Sequence, residues 1–565
     1  MSDHDVEQIK RDSRALRGTI LDGLSDPLTG SIADDDTIVT KFHGLYQQDD
    51  RDQRAERKAA RLEPHYQFML RVRIPGGDIS PTQWAALDEV AGTLANGTIR
   101  LTTRQAVQFH GLAKESLQDL MRRLDAVLMD SMAACGDVNR NVMCRVEPEA
   151  GPLEAQALDW ARRFSEHLLP STRAWRELWI DGEKLTDDAE VEDEPIYGPT
   201  YLPRKFKAAI AIPPINDVDI YSQDLGLVVI ADDSGQQLAG FNLCLGGGLG
   251  CSHGMPDTFP RLADVVGFVR PDDVLAVAEA VVTLQRDHGE REQRKLARFK
   301  YTVERHGLDW LKAEITRRSG VILDAPRSMH FDHNGDRYGW VRQTDGRWRL
   351  TLMIENGRLQ PEHLAALRPL VRDRVERVRL TPNQNLSLTG IEDAHRQAFD
   401  QALAAVGLGQ RQASPIRLNA MACVALPSCG LAMAEAERYL PSLVGRLDEL
   451  ALQHGIGDQP ITIRMSGCPN GCSRPYLAEI GLVGRAPGRY NLYLGAAFNG
   501  SRLNRLVLDN ADEAAILGHI DGLFADFAAH RQPEERFGDF LIRRGHVEAV
   551  AHGREVNQLT LKEVS

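Results

Sequence analysis

Long apolar runs are missing from this 565-residue chain. No stretch approaches the roughly 20 residues that a helix needs to cross a bilayer, so no membrane partner is expected. Positive charge is in deficit: 67 Lys and Arg against 80 Asp and Glu leave a formal net charge of -13 at pH 7. That balance opposes nucleic acid as a main partner, because phosphate binding demands a basic surface. The segment Met1 to Ile20 mixes acidic and basic residues without the apolar core of a secretory leader, so the cytoplasm is the expected compartment. Cysteine is sparse, eight in all, and disulfides are not expected in that compartment.

What basic residues there are fall close together. Arg71, Arg73, Arg100, Arg104, Arg140, Arg204, Lys205 and Lys207 lie in short motifs flanked by strand-like runs. An acidic protein with a concentrated cationic site suits a small anionic substrate or a polycarboxylate cofactor, the bland alternative being scattered solvated charge. The length predicts three or four domains rather than one core.

A repeat organises the chain. The stretch "IPGGDISPTQWAALDEVA" (Ile74 to Ala91) returns as "IENGRLQPEHLAALRPLV" (Ile354 to Val371). Each is followed by Arg-Leu-Thr, at Arg100 to Thr102 and Arg379 to Thr381, and the matches continue through Gln105 and Gln384 to Gly111 and Gly390. Each copy reads strand, turn, helix, strand. Further matches follow in the same order: "NVMC" from Asn141 with "NAMAC" from Asn419, "DLGLV" from Asp224 with "EIGLV" from Glu479, and "FNLCLGG" from Phe241 with "YNLYLGA" from Tyr490.

The predicted fold class is therefore α+β, an internally duplicated two-domain unit with pseudo-twofold symmetry and mixed sheets covered by helices. The expected divisions are an N-terminal arm over 1–62, half-domains over 63–134 and 327–405, and larger domains over 135–326 and 406–565. Asp49 to Glu63 reads as a charged, solvated helix or arm, Asp187 to Glu194 as an acidic loop, and Asp272 to Arg318 as a long helical region packed through Val274, Val277, Ala278, Val281 and Val282.

Four cysteines fall in the last third as two clips, Cys423 with Cys429 and Cys468 with Cys472. Counting back from the shared Gly-Leu-Val, Cys468 and Cys472 correspond to Pro213 and Asp217, so only the second copy has the full set. Four thiolates at one point suit an iron-sulfur cluster or tetrahedral zinc. Zinc usually takes two-residue spacers, whereas here they are five and three. A set of buried free thiols is the third reading. Ile461 to Met465 alternates like a strand and Pro469 to Gly471 supplies a turn, while Ala432 to His454 predicts an amphipathic helix that would start just after Cys429 and favour an anionic cluster there.

The stretch Ser466-Gly-Cys-Pro-Asn-Gly-Cys472, with Glu479 to Leu482 after it, resembles the signature of the siroheme and iron-sulfur sulfite/nitrite reductase family. Similarity extends through "YQQDDRD" from Tyr46, "RLTTRQAVQFHG" from Arg100, "YLPRKFK" from Tyr201, "MACVALPSC" from Met421 and "FGDFLIRRG" from Phe537, nearly the whole chain. The resemblance implies ferredoxin-like half-domains and siroheme-binding domains, the second with the cluster. It also implies a 4Fe-4S cluster on Cys423, Cys429, Cys468 and Cys472, with Cys472 bridging to the siroheme iron. Arg71, Arg140, Lys205 and Lys207 would hold and protonate sulfite, and Arg100, Arg104, His110 and Arg204 would contact siroheme, whose eight carboxylates need cations.

The alternative for Arg100 and Arg204 is surface ion pairing, and for His110 a hydrogen-bonded core histidine. The loop Gly246, Gly247, Gly248, Gly250 breaks the dinucleotide pattern at Cys251 and His253, so the chain is expected to lack a nucleotide site. The family supplies a flavoprotein electron donor that oxidises NADPH, in a hetero-oligomer. Cys135, Cys144, Cys244 and Cys251 read as inert thiols. Nitrite reduction to ammonia, a cluster protein without heme, and a four-thiolate zinc scaffold are the competing functions.

Overall fold

The computed structural model describes residues 3–145, 147–172, 179–180, 183–184, 194–409 and 413–559. The acidic loop from Asp187 lies outside them, apart from Glu194. Four five-stranded sheets organise the chain, as two matching pairs. The first holds, in spatial order, Leu45–Asp49, Tyr66–Val72, Val107–Leu112, Ile99–Leu101 and Arg358–Leu359. Its mate holds Gly339–Arg342, Trp348–Leu352, Leu386–Ile391, Arg377–Leu380 and Asp78–Ile79.

The last strand of each sheet is borrowed from the other copy. Arg358 pairs with Arg100 in one sheet, and Asp78 pairs with Arg379 in the other. Tight turns make the exchange possible: Gly77 and Gly357 take φ of 69° and 75°. A Cβ at Gly77 would stand 2.5 Å from the Leu380 carbonyl oxygen, and one at Gly357 2.4 Å from that of Leu101. Only glycine fits such an approach. The two sheets then share one core, in which Phe68, Leu70, Trp84 and Leu87 meet Leu350, Leu352, Leu364 and Leu367. Helices Pro81–Thr93 and Pro361–Arg374 cover it, the former started by a Ser80–Gln83 capping box.

The second pair of sheets runs Asp264–Val269, Leu238–Leu245, Leu225–Ala231, Ala208–Ala211, Met143–Cys144, and Arg505–Ala511, Arg489–Leu494, Ile480–Ala486, Ile463–Ser466, Ala420–Ala422. In both, the last three strands are parallel and the others antiparallel. The parallel strands Ala208–Ala211 and Ile463–Ser466 are buried along their whole length, as strands covered on both faces must be. The duplicated α+β architecture is thus the observed one.

Three expectations change. Leu45–Asp49, inside the segment read as an arm, is an edge strand paired with Tyr66–Val72, and only Arg54–Ala59 beside it is a solvated helix. The long helical region is three helices, Val274–His288, Phe299–His306 and Leu308–Ser319. The helix expected from Ala432 begins at Leu440. The amides of Met433 and Ala434 bond to the Gly467 carbonyl and that of Glu437 to the Cys423 carbonyl, so these groups are committed to neighbouring loops rather than to a helical ladder. Cys429 therefore has no helix N-terminus beside it.

Candidate functional site

Cys423 directly follows Ala420–Ala422, and Cys468 comes two residues after Ile463–Ser466. These parallel neighbours place Ala422 beside Met465, so both thiols leave the carboxyl ends of adjacent strands, where open sheets present ligand sites. Loops then knit together: the Cys423 amide donates to the Met465 carbonyl at 3.1 Å, and the Gly467 amide to Cys423 Sγ at 3.3 Å. A side chain at Gly467 would strike Ala425 Cβ at 2.5 Å. From the N-terminal part of the chain, Arg51 Nη1 donates to the carbonyls of Cys429 and Ala432 at 3.1 and 2.7 Å.

Gly471, with φ of 61°, turns the chain between Cys468, which is buried, and Cys472, which is exposed. Burial pushes the Cys468 thiol up to about 12, with Cys472 next in effect, and raises Cys423 and Cys429 for the same two reasons. Cys472 weighs on all three. Thiols that resist ionisation alone are released from that cost by metal, which binds the thiolate.

Cations from the first copy face this group. Phe206 is buried against Phe299, with its neighbours Lys205 and Lys207 half-buried on either side. The Lys207 amide donates to Asp224 Oδ2 at 2.9 Å, and Asp224 is itself paired with Arg298 at 2.8 Å. Both ammonium groups are held well below their ordinary range. Burial leads in each case, followed by Arg204, Arg140 and Arg298 for Lys205 and by Arg104, Arg298 and Lys205 for Lys207, while Cys472 opposes the shift in both. Cys472, Lys207, Arg104, Arg298, Gly250 and Asn470 line one cavity. The last three also line a second, with Arg204, Lys205, Arg294 and Lys295.

Arg71 donates from Nη1 to Cys135 Sγ at 2.6 Å. Burial weighs against its charge, and Cys135, Tyr46 and Cys472 outweigh burial. Arg140 donates from Nε and Nη2 to the Gly136 carbonyl, each at 3.2 Å. Arg104 is spent on Gln223 Oε1 and the carbonyls of Asn141 and Ala208, its Nε is unpartnered, and burial with Arg140 pushes it down to about 9. Burial and Arg294 bring Arg204 to about 10.

Arg100 is committed to the protein, through Glu437 at 2.8 Å and the carbonyls of Ala422 and Asn356 at 2.9 and 3.2 Å. It ties down the last residue of the strand that precedes Cys423. His110 is buried in Val107–Leu112 with both ring nitrogens unpartnered, so it is not the hydrogen-bonded core histidine that its setting suggests. Burial, then Arg358 and Arg100, hold it well below its ordinary value, and it is neutral.

Sequence reasoning missed Arg298, which carries no motif, and read Asn470 only as part of the turn between Cys468 and Cys472; Cys135, read as an inert thiol, accepts a hydrogen bond from Arg71. The glycine loop also has a role: a Cβ at Gly250 would stand 3.1 Å from the Asn470 carbonyl oxygen, so this loop packs on the turn between Cys468 and Cys472. Crowded cations, an orphaned buried imidazole and one exposed thiol among four together fit a polyanionic macrocycle joined to an iron-sulfur cluster.

A family model described as the nitrite and sulphite reductase 4Fe-4S domain matches residues 159–323, and one described as the nitrite/sulfite reductase ferredoxin-like half domain matches 61–127 and 341–406. The chain belongs to this nitrite and sulphite reductase family of oxidoreductases, whose cofactors are siroheme and a 4Fe-4S cluster. The first match falls on the copy without the four thiols.

Among individual relatives, a Myxococcus xanthus protein named Sulfite reductase (NADPH) hemoprotein beta-component is 52% identical over 97% of this chain and 97% of its own length. One of the same name from Geobacillus thermodenitrificans is 51% identical, with 97% of each covered. The solved Mycobacterium tuberculosis NirA protein superposes with a TM-score of 0.76 at 26% identity, covering 96% of both chains. No helix among the described residues is long and apolar enough to cross a membrane.

Proposed function

We propose that the chain reduces sulfite to sulfide in six electrons, taking them from a flavoprotein partner that oxidises NADPH in a cytoplasmic hetero-oligomer. Cys423, Cys429, Cys468 and Cys472 would hold the cluster, and Cys472, Arg104, Arg204 and His110 would hold the siroheme. The observation that carries this reading is the exposed Cys472 thiol at the focus of Lys205, Lys207 and Arg104. When bound, the two groups supply an electron-rich iron and an adjacent electron reservoir.

The chain's own residues do the rest. Arg71 and Arg140 stay charged and hold a dianion. Lys205 and Lys207, whose proton affinity is lowered by burial and the neighbouring cations, would donate protons as the sulfite oxygens leave as water. Asp224 and Arg298 fix the backbone that aims Lys207. Steady-state turnover with sulfite and with nitrite tests the assignment: a higher specificity constant for sulfite is expected, and a large preference for nitrite would overturn it.

A further inference from the structure

Asp219 and Arg474 are 255 residues apart. The same offset relates Leu225 to Ile480 and Ala208 to Ile463, so the two are mates in the duplication. Their local structure agrees. Each has a left-handed backbone, φ 47° ψ 61° and φ 59° ψ 45°, and each precedes one 3-10 turn, Ile220–Ser222 and Pro475–Leu477. Left-handed conformations are strained for a non-glycine residue, so each must be held by its surroundings.

The mates touch each other. Arg474 Nε donates to Asp219 Oδ2, and a residue in contact with its own mate lies on the pseudo-twofold axis. A second pair gives the same answer: Arg474 Nη1 and Nη2 donate to the carbonyls of Thr103 and Pro382 at 2.7 and 3.0 Å. Thr103 and Pro382 are related by the offset that relates Arg100 to Arg379. Asp219, wholly buried, also accepts from Arg464 Nη1 at 2.7 Å and Asn334 Nδ2 at 2.6 Å.

Cys472 is two residues from this point. Thr103 Oγ1 donates to the Cys472 carbonyl at 2.9 Å, and Ser473 Oγ donates to the Met465 carbonyl at 2.6 Å. The residue carrying the exposed thiol is thus gripped between the axis and the strand Ile463–Ser466.

We propose that Arg474, held on the axis by Asp219, is the positioning residue for Cys472, acting through the carbonyls of Thr103 and Pro382. The copy without thiols then sets where the exposed sulfur of the other copy stands. This rests on the reading above, in which Cys472 joins cluster to siroheme.

Arg474→Lys keeps the charge but cannot span Asp219 and two carbonyls; Thr103→Val removes one contact at the surface. In the holoenzyme, Arg474→Lys should keep its iron and labile sulfide while its visible bands and electron-paramagnetic signals shift, and kcat should fall by about tenfold with KM for sulfite within about twofold. Thr103→Val should move the same signals less. In the cofactor-free chain, amides 470–474 should exchange about fivefold faster in both variants, with the rest of the fold unchanged.

Parent spectra and parent exchange in both variants would overturn the proposal. If Arg474→Lys fails to fold, Thr103→Val decides alone: altered signals support the assignment and unaltered ones refute it. A parent preparation without siroheme or cluster would sink the functional reading instead, and the exchange comparison would still decide this one.

Discussion

Two strand ends with the same topology carry opposite chemistry. Ala422 lies beside Met465 in one sheet as Cys144 lies beside Ile210 in its mate, so Cys423 and Arg145 are equivalent, as are Cys472 and Asp217. In the second copy these positions hold thiols that face cations. In the first they line a cavity with Glu147, Asp336 and Arg349, where Glu147 is paired to Arg145 at 3.0 Å and to Arg349 at 2.7 Å. One end is closed by fixed charge pairs and the other keeps an exposed sulfur. The cations that meet the sulfur come from the first copy, so neither copy alone builds the site.

Replacing the two mates should break that comparison most visibly. Cys472→Ser should lower sulfite turnover by about a thousandfold or more and disturb the visible spectrum, while Asp217→Asn should stay within about twofold of the parent. Lys207→Ala comes next: kcat falls by about a hundredfold with the spectrum intact, because a proton donor is lost and no ligand is. Rapid-scan spectra and steady-state rates check both.

Smaller effects follow from titration. Lys207 faces Arg104, Arg298 and Lys205, with Cys472 opposing them, and it sheds its proton well below the ordinary lysine value of 10.5. KM for sulfite should therefore rise with pH well before 10.5, and Lys207→Arg should move the rise to higher pH. Asp217 is held up to about 7 by burial, against 3.8 when unfolded. Between those values the fold binds the proton better than the unfolded chain, so stability falls as pH climbs through 7. Asp217→Asn should then stabilise the protein by about 2 kcal/mol at pH 8 and by almost nothing at pH 4, measured by denaturant unfolding.

The duplication was legible because Gly-Leu-Val, Arg-Leu-Thr and the paired glycines survive in both copies, and the four thiols proposed to hold the cluster stand out because they gather in the last third. The exchanged strands were not, since Asp78–Ile79 and Arg358–Leu359 are two residues long and periodicity needs more. The segment from Ala432 kept helical spacing through Met433 and Ala436, yet its amides serve Gly467 and Cys423. Arg100 shows the same limit. An arginine in a basic motif gives no sign that Glu437, far along the chain, will take its charge. The axis pair Asp219 and Arg474 was within reach of the repeat alignment, but opposite charges at matched positions gain meaning only once the mates are seen to touch.

Iron, acid-labile sulfide and zinc analysis of the purified holoprotein, read beside its visible and electron-paramagnetic spectra, tests the central claim most directly. One cluster and one siroheme in the thiol-bearing copy predict about five irons and about four sulfides per chain, with coupled signals lost in Cys472→Ser. A colourless protein holding one zinc, or an iron count that survives Cys472→Ser with parent spectra, would contradict it.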